Sequence, residues 1–181
     1  MKSSRERLGK LSVTTGLFDA EFKHHKTRYI VQCTVATLCV LGVLMALNTL
    51  NRGITIASLG ASSFIAFAMP HQRASTARVM IGGYTIGIVT GTLCCLLSTL
   101  PGVSTVPYLE ANRPEVFGAI AVGMAIFLMA ITQSEHPPAA GLALGFVTDS
   151  TDVRTVIIAG VGIVALYTLK TLLESVLIDL T

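Results

Sequence analysis

Two short stretches of this chain hold residue types that could do chemistry. Residues 134–141 read SEHPPAAG, in which Glu135 and His136 precede Pro137, Pro138, Ala139, Ala140 and Gly141; residues 58–63 are Ser58, Leu59, Gly60, Ala61, Ser62 and Ser63. His136 can change charge near neutral pH, so it can accept a proton or ligate a substrate, and Glu135 beside it is a second proton-coupling candidate. Proline lacks an N–H and has a fixed φ, so it suits a helix's first turn and damages its interior. The Pro137–Pro138 pair therefore predicts a helix start that leaves the N–H groups of Ala139, Ala140 and Gly141 without intrahelical acceptors. Such a start carries partial positive charge and free donors, a setting for an anion. The Ser58–Ser63 stretch, with its hydroxyls and the bare backbone of Gly60, predicts a second start. The candidate substrate-binding set is thus Ser58, Gly60, Ala61, Ser62 and Ser63 with His136, Pro137, Pro138, Ala139, Ala140 and Gly141. The competing reading of His136 is a helix cap bonded to backbone and held by Glu135.

These residues are set in an apolar chain. Of 181 residues, 52% are hydrophobic and 13% charged, and mean hydropathy is +0.71. Ten of the 23 Lys, Arg, Asp and Glu residues fall in the first 28 positions. So little charge elsewhere excludes an ordinary soluble domain and predicts an all-α, polytopic membrane protein. The net charge of +3 sits mostly in the basic N-terminus and does not argue for nucleic acid. The first apolar run begins at Tyr29 and is too long for a signal-peptide core, so no secretory signal is expected. Cys33, Cys39, Cys94 and Cys95 lie inside apolar runs without metal-ligand spacing to a histidine; they are expected as small core hydrophobes, with neither metal nor cofactor.

Apolar segments fall at about 29–50, 54–69, 79–100, 115–133, 137–148 and 153–173. Four have the ~20 residues of a spanning helix. The second and fifth are shorter and read as broken half-helices. An offset of 77 residues lays Ile54–Thr55 on Ile131–Thr132, Ser58 on Glu135 and Gly83 on Gly160. The order long, short, long occurs twice, which predicts a 3+3 inverted repeat of about 29–100 and about 106–175. In such repeats paired interrupted helices mark a substrate site near the midplane. The organisation expected is a basic cytoplasmic segment 1–28, a transmembrane domain 29–175 and a tail 176–181, with an interfacial helix over 11–22. Lys and Arg divide ten to three if all six segments cross, which places the N-terminus in the cytoplasm of a cell (inner) membrane. Re-entrant second and fifth segments would spoil that bias; six crossings, or half-helices continued by extended chain, preserve it.

Gly83, Gly87 and Gly91 form a small-residue face for close helix approach, within one chain or in a homo-oligomer. Gly141 and Gly145 suit either packing or a pore lining. Arg113 is expected to attract anions or to pair with Glu110 or Glu115, Lys170 and Glu174 to form an interfacial pair, and Tyr84 and Tyr167 to pack in the core in preference to lining a cavity.

The segment IASLGASSFIAFAMP followed by a Gly-rich helix, and then EHPPAAGLALGF, resembles the HPP family of integral membrane proteins, whose His-Pro-Pro motif is carried here by His136, Pro137 and Pro138. Ser58 to Ser62 match the family's SLGAS signature, and the resemblance covers roughly 27–175. Family descriptions count four transmembrane helices. Plant and cyanobacterial members are implicated in nitrite transport, so the resemblance implies a transporter for nitrite and related small monovalent anions, not an enzyme. Some bacterial members carry a C-terminal CBS module. This chain stops at Thr181 without one, so adenine-nucleotide control is not expected. An anion channel, a membrane-embedded enzyme using His136 and Glu135, and a non-transporting assembly protein are the competing functions.

Overall fold

The computed structural model describes residues 20–47, 53–149 and 152–180. Residues 11–19 of the expected interfacial helix, and Arg52, lie outside the described residues. The described chain is helical throughout its apolar segments: α1 Ala20–Leu47, α2 Gly53–Ala68, α3 Ala77–Ser98, the short α4 Pro101–Ser104 and α5 Pro107–Ala111, α6 Arg113–Thr132, α7 Pro137–Thr148 and α8 Val153–Leu173. Within these, Lys26–Leu47, α3, α6 and α8 are long and apolar enough to cross a membrane, while α2 and α7 are shorter. Their outer faces stay greasy: Met45, Phe64, Phe127, Ile131 and Leu172 are all exposed. In a bilayer that is the face lipid requires, because a helix satisfies its own backbone and needs only apolar side chains outward.

All six long and short helices run between the same two ends. At one end the α2–α3 link meets the α6–α7 link: Arg78 donates to Thr132 O at 2.9 Å, and Arg73 donates to Gln133 O at 3.3 Å and to Glu135 at 3.2 Å. The C-terminal residues join this end, where Leu180 N–H donates to Ala68 O at 2.8 Å. Gln32, buried within α1, donates to both Phe67 O and Ile178 O. The expected tail therefore packs as part of the bundle, with Leu177 buried. At the far end, Ile54 at the start of α2 lies against Gly145 near the end of α7. There Arg113 donates to the Ser104 hydroxyl rather than meeting Glu110 or Glu115. The basic end thus gathers Arg73, Arg78 and Lys170, while Arg113 and Arg154 mark the starts of α6 and α8 at the other.

The helix contacts repeat under exchange of α1 with α6, α2 with α7 and α3 with α8. Contact α1–α2 becomes α6–α7, α1–α8 becomes α3–α6, α2–α8 becomes α3–α7, and α2–α7 and α3–α8 map onto themselves; all are present. Because each half has three successive helices that alternate in direction, the halves run in opposite senses, which is the inverted-repeat arrangement.

Glycine sets how closely α3 and α7, one helix from each half, approach. A Cβ on Gly83 would fall 2.5 Å from His136 Cβ, one on Gly87 would overlap the carbonyl oxygen of Ala139, and one on Gly91 would fall 2.8 Å from Ala143 O. The small-residue face of α3 therefore seats α7 within one chain, and the expectation of a homo-oligomer loses that support. Gly145 is likewise a packing residue, against Ile54, whereas Gly141 has nothing within 4 Å.

Candidate functional site

The site forms where α7 begins. Gln133, the C-cap of α6, adopts a left-handed conformation (φ 55°, ψ 41°), and Ser134 N–H reaches back to Met129 O at 2.9 Å. That closure ends α6. Arg73 and Arg78 take up carbonyls at this helix end, so they serve as caps as well as surface charge. The chain then passes in extended form through 134–136 and enters α7 at Pro137. His136 is the N-cap, extended at φ −128°, ψ 92°, and its side chain makes no capping bond. The capping reading of His136 therefore fails.

Its ring instead turns inward, past the notch that Gly83 leaves, to α2. His136 Nε2 lies 2.9 Å from Ser62 Oγ. Ser62 Oγ lies 3.0 Å from the Tyr84 hydroxyl, which lies 2.8 Å from Ser58 Oγ. Ser58 donates to Pro138 O at 2.7 Å, and Ser62 donates to Ser58 O at 2.9 Å. His136, Ser62, Tyr84 and Ser58 are 1%, 0%, 1% and 5% exposed. A buried polar chain of this kind, inside an otherwise apolar bundle, is retained only when its members satisfy one another or serve a ligand. The Tyr84 and His136 rings are 5.6 Å apart between centroids, tilted by 53°.

Several expectations are corrected. Ser58–Ser63 is not a helix start, because α2 runs unbroken from Gly53 to Ala68 and those residues lie inside it. Two facing helix starts therefore do not occur: α2 begins beside Gly145, at the opposite end of α7 from His136. The backbone cradle at α7 is also poorer than expected. Pro137 and Pro138 have no N–H, and Ala139 N–H is bonded to His136 O at 2.9 Å. Ser62 is six residues from the end of α2 and Gly83 six from the start of α3, so both stand ~9 Å below the basic end. At 16 and 12 residues, α2 and α7 are ~24 and ~18 Å long, and residues 134–136, outside any helix, precede α7.

The candidate residues sort onto different faces. Ser58, Ser62, His136 and the Pro138 carbonyl meet. Ala139 is buried beside them, against Gly87. Gly60 has nothing within 4 Å, Ala61 is exposed, and the Ser63 hydroxyl donates to Gly60 O at 2.7 Å on another side of α2. Pro137 and Gly141 are exposed and Ala140 is half-buried. Glu135 points outward to Arg73 and takes no part in the cluster. Tyr84 packs in the core as expected, and its hydroxyl also links the two serines. A single tyrosine in a long apolar helix carries no signal of that role. The buried Gln32, a lone amide in YIVQCTVATL, is the more legible polar residue, and sequence reasoning missed it.

The fold and the site define a polytopic all-α membrane protein with a buried polar cluster at the start of a short helix. The chain matches the HPP transmembrane region over residues 22–179 and belongs to that family, a membrane family of transporter type. No curated protein and no solved structure matches the chain.

Proposed function

We propose that the chain is a secondary transporter for small monovalent anions, nitrite first among them, with the substrate taken up at the Ser58–Ser62–Tyr84–His136 cluster. The observation that carries the reading is the cluster itself: three hydroxyls and an imidazole, at least 95% buried, in a bundle with an apolar exterior. Hydroxyl and imidazole N–H groups, when they exchange the bonds they make with one another for bonds to a solute, are the donors a small oxyanion needs once it leaves water. The nitrite assignment comes from the family resemblance; the cluster supports a small donor-seeking solute. The basic end faces the cytoplasm of a cell membrane, by the distribution of Lys and Arg. The inverted repeat supplies the means of alternating access, one half rocking against the other around the cluster.

The test is nitrite uptake into proteoliposomes by the full chain, with His136→Ala and Ser62→Ala variants checked for folding by size exclusion and thermal unfolding. Saturable uptake by the wild type, lowered at least tenfold in both folded variants, is the expected result. Full flux in both variants would move the site elsewhere. Well-folded wild-type protein that passes no small anion would end the transporter reading.

A further inference from the structure

We infer that each anion crosses together with one proton, as an electroneutral pair, and that the cluster selects anions of weak acids over anions of strong acids. This inference rests on the transporter reading above and names the chemical class its site accepts.

The cluster has five close contacts: Ser58 to Pro138 O, Ser62 to Ser58 O, Ser58 to Tyr84, Ser62 to Tyr84, and Ser62 to His136 Nε2. Each hydroxyl brings one proton. With the Ser58 and Ser62 protons on carbonyls, the Tyr84 proton serves one serine. With both carbonyl bonds kept, Ser62 has no proton left for His136; Nε2 then supplies the hydrogen of the 2.9 Å contact, and one of the two serine–Tyr84 contacts carries none. In that assignment neutral His136 is the Nε2–H tautomer, and Nδ1 presents a lone pair. Nδ1 is buried and has no hydrogen-bond partner among the described residues.

A buried acceptor without a donor repels a bare anion and attracts a proton donor. Two species fit: an undissociated acid, which donates its own O–H to Nδ1, or an anion that arrives after Nδ1 has taken a proton. In both, one proton and one anion occupy the site together, with no net charge added to it. Among the described residues, nothing else around His136 supplies a fixed positive charge. From α2 it meets Ser62, and from α3 it meets Gly83 and Tyr84. On its own link Glu135 is turned outward to Arg73, and Arg78 is committed to Thr132 O. Lys170 of α8 is held by Glu174 at 2.8 Å. An unpaired anion in such surroundings bears a desolvation cost that no partner offsets. Weak-acid anions such as nitrite and formate can bring the proton on their own oxygen and return it on the far side. Nitrate and chloride cannot hold one near neutral pH.

The experiment uses the full chain in proteoliposomes near neutral pH, with nitrite, formate, nitrate and chloride compared against protein-free vesicles. Uptake is driven first by a proton gradient at zero membrane potential and then by potential at zero proton gradient; a pH dye inside reads proton entry. The expected result is nitrite and formate uptake that follows the proton gradient, ignores the potential and carries one proton per anion. Nitrate and chloride should move at least tenfold more slowly. Tyr84→Phe, which removes one of the counted protons, should lower the proton-driven rate several-fold while preserving the one-to-one ratio. Potential-driven uptake, or chloride and nitrate moving as fast as nitrite, overturns the inference while leaving the transporter reading intact. No movement of any of the four by folded protein overturns both.

Discussion

Helices α2 and α7 occupy equivalent places in the inverted repeat, yet they are held by different means. At α7, His136 sits in the notch of Gly83 on α3, and the helix lies along a seam of three glycines with backbone against backbone. At α2, the corresponding contact, with α8, is Leu59, whose methyl carbons lie where a Cβ on Gly162 would approach to 2.8 and 2.9 Å. The 77-residue offset in fact aligns Leu59 with His136. One half thus places an imidazole where the other places an isobutyl group. The repeat has divided its labour: α7 brings the titratable ring and a backbone start, while α2 brings hydroxyls on a continuous helix and an apolar anchor. A symmetric pair of helix starts would have relied on backbone dipoles; the asymmetric pair relies on side chains.

The sharpest way to break this comparison is to fill the glycine seam. Gly87→Leu would drive a side chain into the Ala139 carbonyl, which is backbone and cannot turn aside. We expect a loss of at least ~3 kcal/mol, the upper end of overpacking, read as a failure to recover monodisperse protein or a large fall in Tm. Gly162→Ala meets only the flexible ends of Leu59 and Leu47 and should cost ~1 kcal/mol. Equal losses from the two would show that the seams are equivalent and that α7 is not the more tightly fixed.

Next in size is Leu59→Ala. Leu59 is 1% exposed, so truncation should cost ~2–5 kcal/mol in denaturant or thermal unfolding. Nitrite uptake per folded molecule should nevertheless stay within about threefold of wild type, because the lost atoms are packing and carry no proton. If uptake collapsed while stability held, Leu59 would belong to the transport path and the division between the halves would be wrong.

Much of this architecture could be read in the sequence, and the failures have physical causes. Apolar length made the four long helices and two short ones visible. The Pro137–Pro138 start of α7 was legible because proline's missing N–H restricts it to a first turn. The same logic failed at Ser58–Ser63. Serine and glycine weaken a helix by fractions of a kcal/mol up to ~1 each, which burial against α7 and α8 overrides. Ser62 in fact bonds its own helix at Ser58 O, a habit of membrane serines that leaves no mark on composition. Tyr84 was illegible for a different reason. Its role depends on a three-way meeting of residues 22 to 52 positions away in the chain, and only the packed bundle shows it.

The smallest effect lies at the basic end, where the halves differ again. With the 77-residue offset, Lys170 and Glu174 fall on Leu93 and Leu97, so an ion pair in one half answers two leucines in the other. Lys170 Nζ is 2.8 Å from Glu174 Oε1, and the hydrogen bond from Lys170 holds the Glu174 carboxyl below its ordinary pKa. A carboxyl lowered in the folded state stabilises the fold above its unfolded pKa, and that stabilisation is lost as pH falls through the folded value. Glu174 is 42% exposed, so solvent screening limits the pair to at most ~1 kcal/mol. Glu174→Gln should therefore lower Tm by a few degrees or less between pH 6 and 8, a gap that closes as the wild type is taken below ~pH 4. A gap that persisted at pH 3 would mean that Glu174 acts through packing, not charge, and that the two ends of α3 and α8 differ only in shape.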